Sequence, residues 1–212
     1  MNFNRFQSLI LVSAGIAILL DSINSIGFLL FKPLTSFLIL FLPILFKAPS
    51  EKAYAKPIVI GLLFCLLGDT FLLFESYFVF GLSAFLIGHL FFLFAFVKKQ
   101  GWHKNLILGL LLVIVAASLC VLIQTKLNEL LLPVVLYMTV IVLMSWQGWG
   151  LALNSKTKNL KNIGVGVSLF MVSDTLLAIN KFYVPFPFSG IFILGAYWGA
   201  IYLIAKSTTS LP

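Results

Sequence analysis

The stretch IGLLFCLLGDTFLLF, residues 60–74, holds fifteen residues and a single charged side chain, Asp69. Burying a lone carboxylate in such a run is costly unless something nearby compensates it. A near copy recurs about a hundred residues later, IGVGVSLFMVSDTLLAI at 163–179, with Asp174 in the matching place. The medium around these runs follows from the rest of the chain. Charged residues make up 9% of the sequence and hydrophobic ones 61%, with 22 phenylalanines and a mean hydropathy of +1.13. Soluble domains carry about 25% charged residues, so the solvent for this surface is a lipid bilayer.

A helix rises about 1.5 Å per residue and needs about 20 residues to cross a bilayer. By that measure the sequence predicts an all-α polytopic membrane protein of eight transmembrane helices, at about 6–20, 27–46, 57–74, 77–97, 105–123, 130–151, 163–179 and 188–205. Arg5 and the apolar run after it have the general shape of a signal peptide. No convincing small-x-small cleavage site follows, so the run is read as the first span.

The net charge of +8 does not point to nucleic acid, because the basic residues sit in short clusters between apolar runs. In an eight-span arrangement Arg5, Lys47, Lys52, Lys56, Lys98, Lys99, Lys104, Lys156, Lys158, Lys161 and Lys206 share one side. Lys126 and Lys181 lie on the other, and Lys32 lies inside the second span. This bias predicts that both termini are cytoplasmic. Trp102, Trp146 and Trp149 fall near the cytoplasmic interface. Cys65 and Cys120 fall inside apolar runs and are expected to be buried free thiols.

Each aspartate helix is followed by a short loop and a glycine-bearing aromatic helix, FGLSAFLIGHLFFLFAF (80–96) and FSGIFILGAYWGAIYLIA (188–205). The two units are four spans apart and run in the same direction, the pattern of a parallel four-plus-four repeat with halves of about 1–104 and 105–212 in a single membrane domain. Asp69 and Asp174 each lie five residues from the outer end of their spans, about 7–8 Å deep. Lys32 lies at a similar level, and His89 lies deeper. Convergence on one polar cavity, with Lys32 facing one or both aspartates, is the least costly arrangement of these groups. Lys181, seven residues beyond Asp174, shares its face if the helix continues. It would then guide a phosphate toward the cavity. Asp21, Glu75 and Lys181 otherwise read as residues at outer helix ends.

The chemistry open to this set is limited. With only His89 and His103 in the chain, a histidine-rich zinc site is not available and an Asp/Asp/His site is weak. No GxSxG motif supports a serine triad. No cofactor and no metal are expected. Two carboxylates with Lys32 and His89 match acid–base hydrolysis, in which one acid is protonated and its partner ionised. The same residues also suit a proton-coupled transporter or lipid-binding protein, although carriers usually bind near the midplane and this cluster lies toward one leaflet. A structural scaffold leaves the aspartates unexplained.

KPL at 32–34, GD at 68–69, FGLSAFLIGHLFF at 80–92, SD at 173–174, AINKF at 178–182 and AYWGAIYLIA at 196–205 together resemble the YhhN-like membrane proteins, which include the lysoplasmalogenases. Where that family often has a polar residue a turn after the tyrosine of the last helix, this chain has Ile201 after Tyr197. The resemblance implies hydrolysis of the vinyl ether bond of a lysoplasmalogen to a fatty aldehyde and glycerophospho-ethanolamine or -choline. It implies Asp69 and Asp174 as catalytic residues. Lys32, His89, Tyr197 and Lys181 would bind substrate or tune the acids. The expected partners are a lysophospholipid and membrane lipids, and the expected location is the cell (inner) membrane.

Overall fold

The structure is a computed structural model and describes residues 2–209. The backbone of each apolar run must satisfy its own polar groups, because lipid offers no partners, and helices do so within one segment. Eight α-helices result among the described residues: α1 Phe3–Ser22, α2 Phe28–Leu45, α3 Lys52–Phe71, α4 Phe78–Gln100, α5 Leu106–Leu127, α6 Leu131–Asn154, α7 Lys158–Ala178 and α8 Ser189–Lys206. Each predicted span overlaps one of them. The ends differ by several residues, because polar interfacial residues such as Asn4 and Arg5 stay helical although they carry no apolar signal. Seven helical stretches are long and apolar enough to cross a membrane; one of them, the 49-residue Leu106–Asn154, contains both α5 and α6. Asn128, at φ 46°, turns the chain between those two helices. The protein is an integral membrane protein.

Consecutive helices pack together, α1 on α2, α2 on α3 and α3 on α4, then α5 on α6, α6 on α7 and α7 on α8. The two runs meet where α4 packs on α6 and α2 packs on α8, so the seam is reciprocal under a shift of four helices. α1 and α3 also touch α8. α5 stands apart. It leans on α6 and on a π-helical segment, Ile179–Tyr183, that continues α7. Only Gly109, Ile123 and Leu127 of α5 are buried, and Leu106, Ile107, Leu110, Leu111, Val113 and Ile114 are exposed along it. That apolar surface is matched to lipid. The interior is built from Phe92, Phe96, Phe170, Ile58, Leu62, Met144 and Ile201, all fully buried.

Polar contacts close the two ends of the bundle differently. At one end the turn after α8 joins the α2–α3 connection. The Ala48 amide donates to the Thr208 carbonyl at 3.0 Å, and Tyr54 shares a hydrogen bond with Ser207 at 2.9 Å. Asn159 donates to the Thr209 carbonyl at 2.9 Å, and Lys99 pairs with Glu51 at 2.6 Å. The other end carries the α3–α4 and α7–α8 connections, bridged by Lys181 and Glu75 at 2.6 Å. This second end, nearer both Asp69 and Asp174, is called the aspartate end below.

α3 and α4 are held tightly by two glycines facing each other. A methyl group on Gly61 would lie 3.0 Å from the Gly88 carbonyl and overlap the Phe92 ring; one on Gly88 would lie 3.1 Å from the Gly61 carbonyl. Close approach of this kind is how membrane helices gain packing energy where lipid supplies no hydrophobic drive. Gly61→Leu is therefore expected to lower the unfolding midpoint in detergent, with an overpacking cost of about 1–3 kcal/mol. An unchanged midpoint would show that the two helices separate freely.

Candidate active site

Asp69 lies two residues from the end of α3, yet it is 1% exposed because α2 and α8 close over it. Its Oδ2 accepts hydrogen bonds from the Ser36 hydroxyl of α2 and, at 2.7 Å, from the Tyr197 hydroxyl of α8. Ser36 is fixed in turn by the Trp198 indole N–H, which donates to its oxygen at 3.1 Å. Lys32, one turn before Ser36 on α2, is 8% exposed. It lies within electrostatic reach of Asp69 and also of Asp21 at the end of α1, without ion-pair contact to either. Of the two aspartates expected near Lys32, Asp69 alone is within its electrostatic reach, and Asp21, read from the sequence as an outer helix-end residue, is within reach as well.

Asp174 is held by the other half of the bundle. Its Oδ2 accepts from the Tyr137 hydroxyl of α6 at 2.5 Å. Ser173 beside it donates to the Ile193 carbonyl of α8 at 2.9 Å and so ties α7 to α8 at this level. The two carboxylates therefore have related settings, each receiving a hydroxyl from the preceding helix in the chain.

A continuous layer of side chains joins them. The Tyr197 ring packs edge-on to Phe85 and Phe170, each 5.6 Å away. Phe170 packs against His89 at 4.5 Å, and His89 against Tyr137 at 5.2 Å. Cys65, one turn before Asp69, is fully buried and within electrostatic reach of both carboxylates. His89 is fully buried too, and neither ring nitrogen has a protein partner among the described residues. A buried imidazole in that state calls for a water or a ligand.

Where the sequence reading expected both aspartates in one polar cavity, the pocket that reaches Asp174 does not reach Asp69. A pocket of about 770 Å³, open on one side, lies between α4, α5, α6 and α7. Asp174 and Tyr137 line it, while Asp69 does not. The difference arises because α8 and α2 seal Asp69, whereas α5 leaves a gap beside α7. Lys181 stands at an outer helix end, as read from the sequence, but the helical face it would share with Asp174 is not continued. The α-helix ends at Ala178, and the π segment turns Lys181 toward Glu75 at the surface instead of along the Asp174 face. The Lys181 ammonium sits 5.4 Å from the centre of the Phe78 ring, which lines the pocket. Cys120 is half-buried on α5 and not in the core as expected.

Sequence reasoning missed Ser36, Tyr137 and Ser173, and it gave Cys65 no place near the acids. The only signal for Tyr137 was a lone phenol in the apolar run LPVVLYMTV (132–140).

A family model described as the YhhN family matches residues 27–208. The chain belongs to the YhhN family. It is 33% identical over 159 residues to lysoplasmalogenase TMEM86A of Bos taurus, covering 72% of this chain and 65% of that protein. It is 33% identical to lysoplasmalogenase TMEM86B of Homo sapiens, covering 72% and 63%. It is 27% identical to the uncharacterized membrane protein YhhN of Escherichia coli O157:H7, covering 84% and 85%. The chain spans a little under two thirds of the length of the lysoplasmalogenases it matches. No solved structure matches it.

Removing one donor from a buried carboxylate costs about 1–3 kcal/mol. Tyr197→Phe and Ser36→Ala are each expected to destabilise the protein by that order in thermal unfolding. The double variant should depart from additivity, because both act on Oδ2 of Asp69. Additive effects would mean that the two hydroxyls do not act on a common group.

Proposed function

We propose that this protein is an intramembrane lysoplasmalogenase, hydrolysing the vinyl ether bond of a lysoplasmalogen by acid–base catalysis between Asp174 and Asp69. The observation that carries this reading is the asymmetry of the two carboxylates. Asp174 opens onto an apolar pocket, while Asp69 is sealed behind two hydroxyl donors with Lys32 nearby. The lysoplasmalogenase relatives support the reaction class.

Vinyl ether hydrolysis begins with a proton on carbon. Asp174 delivers its proton to the second carbon of the alkenyl chain, and the first carbon becomes an oxocarbenium ion bonded to the glycerol oxygen. Asp69, held as a carboxylate by Ser36 and Tyr197, offsets that positive charge, and electrostatic aid of this kind is strong in a site without bulk water. Water adds to the first carbon and its proton returns to Asp174. The hemiacetal then collapses, its hydroxyl proton passing to the departing glycerol oxygen. Aldehyde and glycerophospho-alcohol are the products, and one water is consumed. His89, with two unpartnered nitrogens beside Tyr137, holds the attacking water. Lys181 stands at the aspartate end, where it meets the substrate phosphate.

This reading places the protein in the cell membrane as eight spans with both termini cytoplasmic, since the lysine-rich connections gather at the end opposite the aspartates. The lysolipid then enters from the outer leaflet with its headgroup near the surface. The reciprocal seam of α4 on α6 and α2 on α8 supports a four-plus-four repeat, each half supplying one carboxylate.

The test is aldehyde release by purified protein in detergent given an alkenyl lysophospholipid. Wild type is expected to turn over, and Asp69→Asn and Asp174→Asn each to lose at least about 100-fold while still folded. Lipid that binds or moves without aldehyde release would make the protein a carrier. His89→Phe is expected to lower kcat with KM little changed; a full-rate variant would remove the histidine from the water site.

A further inference from the structure

We infer that the pocket between α4, α5, α6 and α7 is the hydrocarbon-chain subsite, with the small side chain of Ala116 at its deep end leaving the gap through which longer chains pass. The inference deepens the hydrolase reading and rests on it for the direction of the chain.

The pocket wall is almost wholly aliphatic and aromatic, and its polar groups are few: the Asp174 carboxylate, the Tyr137 hydroxyl bonded to it, and Thr175. They sit partway along the wall. On α6 the lining runs from Val134 near the aspartate end through Tyr137 to Ile141. On α7 it runs from Ala178 through Asp174 to Met171, and on α5 from Ile123 through Leu119 to Ala116 and Val115. An occupant must therefore be apolar along the deeper stretch and present its reactive, weakly polar linkage at the level of Asp174. At the entrance, the Lys181–Glu75 pair offers one charge of each sign, the complement of a zwitterionic phosphate headgroup. A single-chain lysophospholipid with its linkage at the top of the chain meets all three conditions.

The dimension along α5 decides what the floor does. From Ile123 to Ala116 is seven residues, about 10 Å of helix. Ala116 is the smallest side chain at the deep end, facing a floor completed by Ile141, Met171 and Phe85. A longer chain passes this gap and leaves toward lipid along the open side beside α5. Filling the gap blocks that path. Ala178 lies on the entrance side of Asp174, so a bulky group there obstructs chains of every length alike.

The experiment compares wild type, Ala116→Phe and Ala178→Phe on alkenyl lysophospholipids of short, medium and long chain. Binding of the matching saturated alkyl ethers, which the proposed chemistry cannot cleave, is measured in parallel. Ala116→Phe is expected to lower kcat/KM and affinity for the long chain by at least about tenfold relative to the short one. Ala178→Phe should lower all three by a similar factor. An unchanged chain-length profile in a folded Ala116→Phe protein, in both turnover and binding, would overturn the subsite. If Ala116→Phe does not fold, Ala116→Leu is expected to give the same shift with smaller size, and an unshifted Ala116→Leu profile overturns it equally. The two readings fail separately. No aldehyde from wild type, with alkyl ether binding still shortened by Ala116→Phe, would remove the hydrolase and leave the chain subsite.

Discussion

A carboxylate in a medium that solvates charge poorly must be met by donors or a counter-charge, and this requirement organises the bundle around Asp69. Lipid supplies neither. The donors come from α2 and α8, the far ends of the sequence, through Ser36 and Tyr197. The contact of α2 with α8 is thus also the seam between the two halves of the chain. The Trp198 indole on the Ser36 oxygen extends the same network, so the group that seals the acid is itself held in place. Around Asp69 the structure solves a solvation problem and closes the fold with the same bonds.

Asp174 is met more sparingly. One phenol reaches it, no ion pair to it is found among the described residues, and the adjacent helix α5 stands off the bundle far enough to leave a pocket. The repeat-like arrangement therefore yields two unlike sites from similar sequences. The difference lies in the last helix of each half: α8 packs tightly on α7, α2 and α3, and its Tyr197 reaches Asp69. On the other side α4 presents His89 and Phe85, and its contact with α6 leaves room toward α5. Under the proposed chemistry, these unlike settings would push the proton affinities of the two acids apart.

Much of this was legible in the sequence. The membrane solvent, the approximate helices and the two aspartates all stood out, because a carboxylate in an apolar run is rare and expensive. The hydroxyls did not stand out. Thr70, Ser83, Ser118 and Thr139 all donate to the carbonyl four residues back in their own helix, the ordinary fate of a hydroxyl in such a segment. Ser36 and Ser173 have the same chemistry and differ only in what stands opposite them. The face that Lys181 would share with Asp174 was not legible either, because it runs through a segment whose backbone changes to a π turn.

What the sequence determined by itself is the solvent, the set of helices and the expense of Asp69 and Asp174, because hydropathy and the cost of burying charge depend on residue identity and local spacing. Only the tertiary structure decided which hydroxyl reaches which acid, that Asp21 stands within electrostatic reach of Lys32, and that Asp174 but not Asp69 lines the pocket beside α5. Those outcomes depend on how helices far apart in the chain rotate and lean against one another. In a uniformly apolar chain, small residues and a few buried hydrogen bonds set that packing, and one-dimensional spacing does not record it.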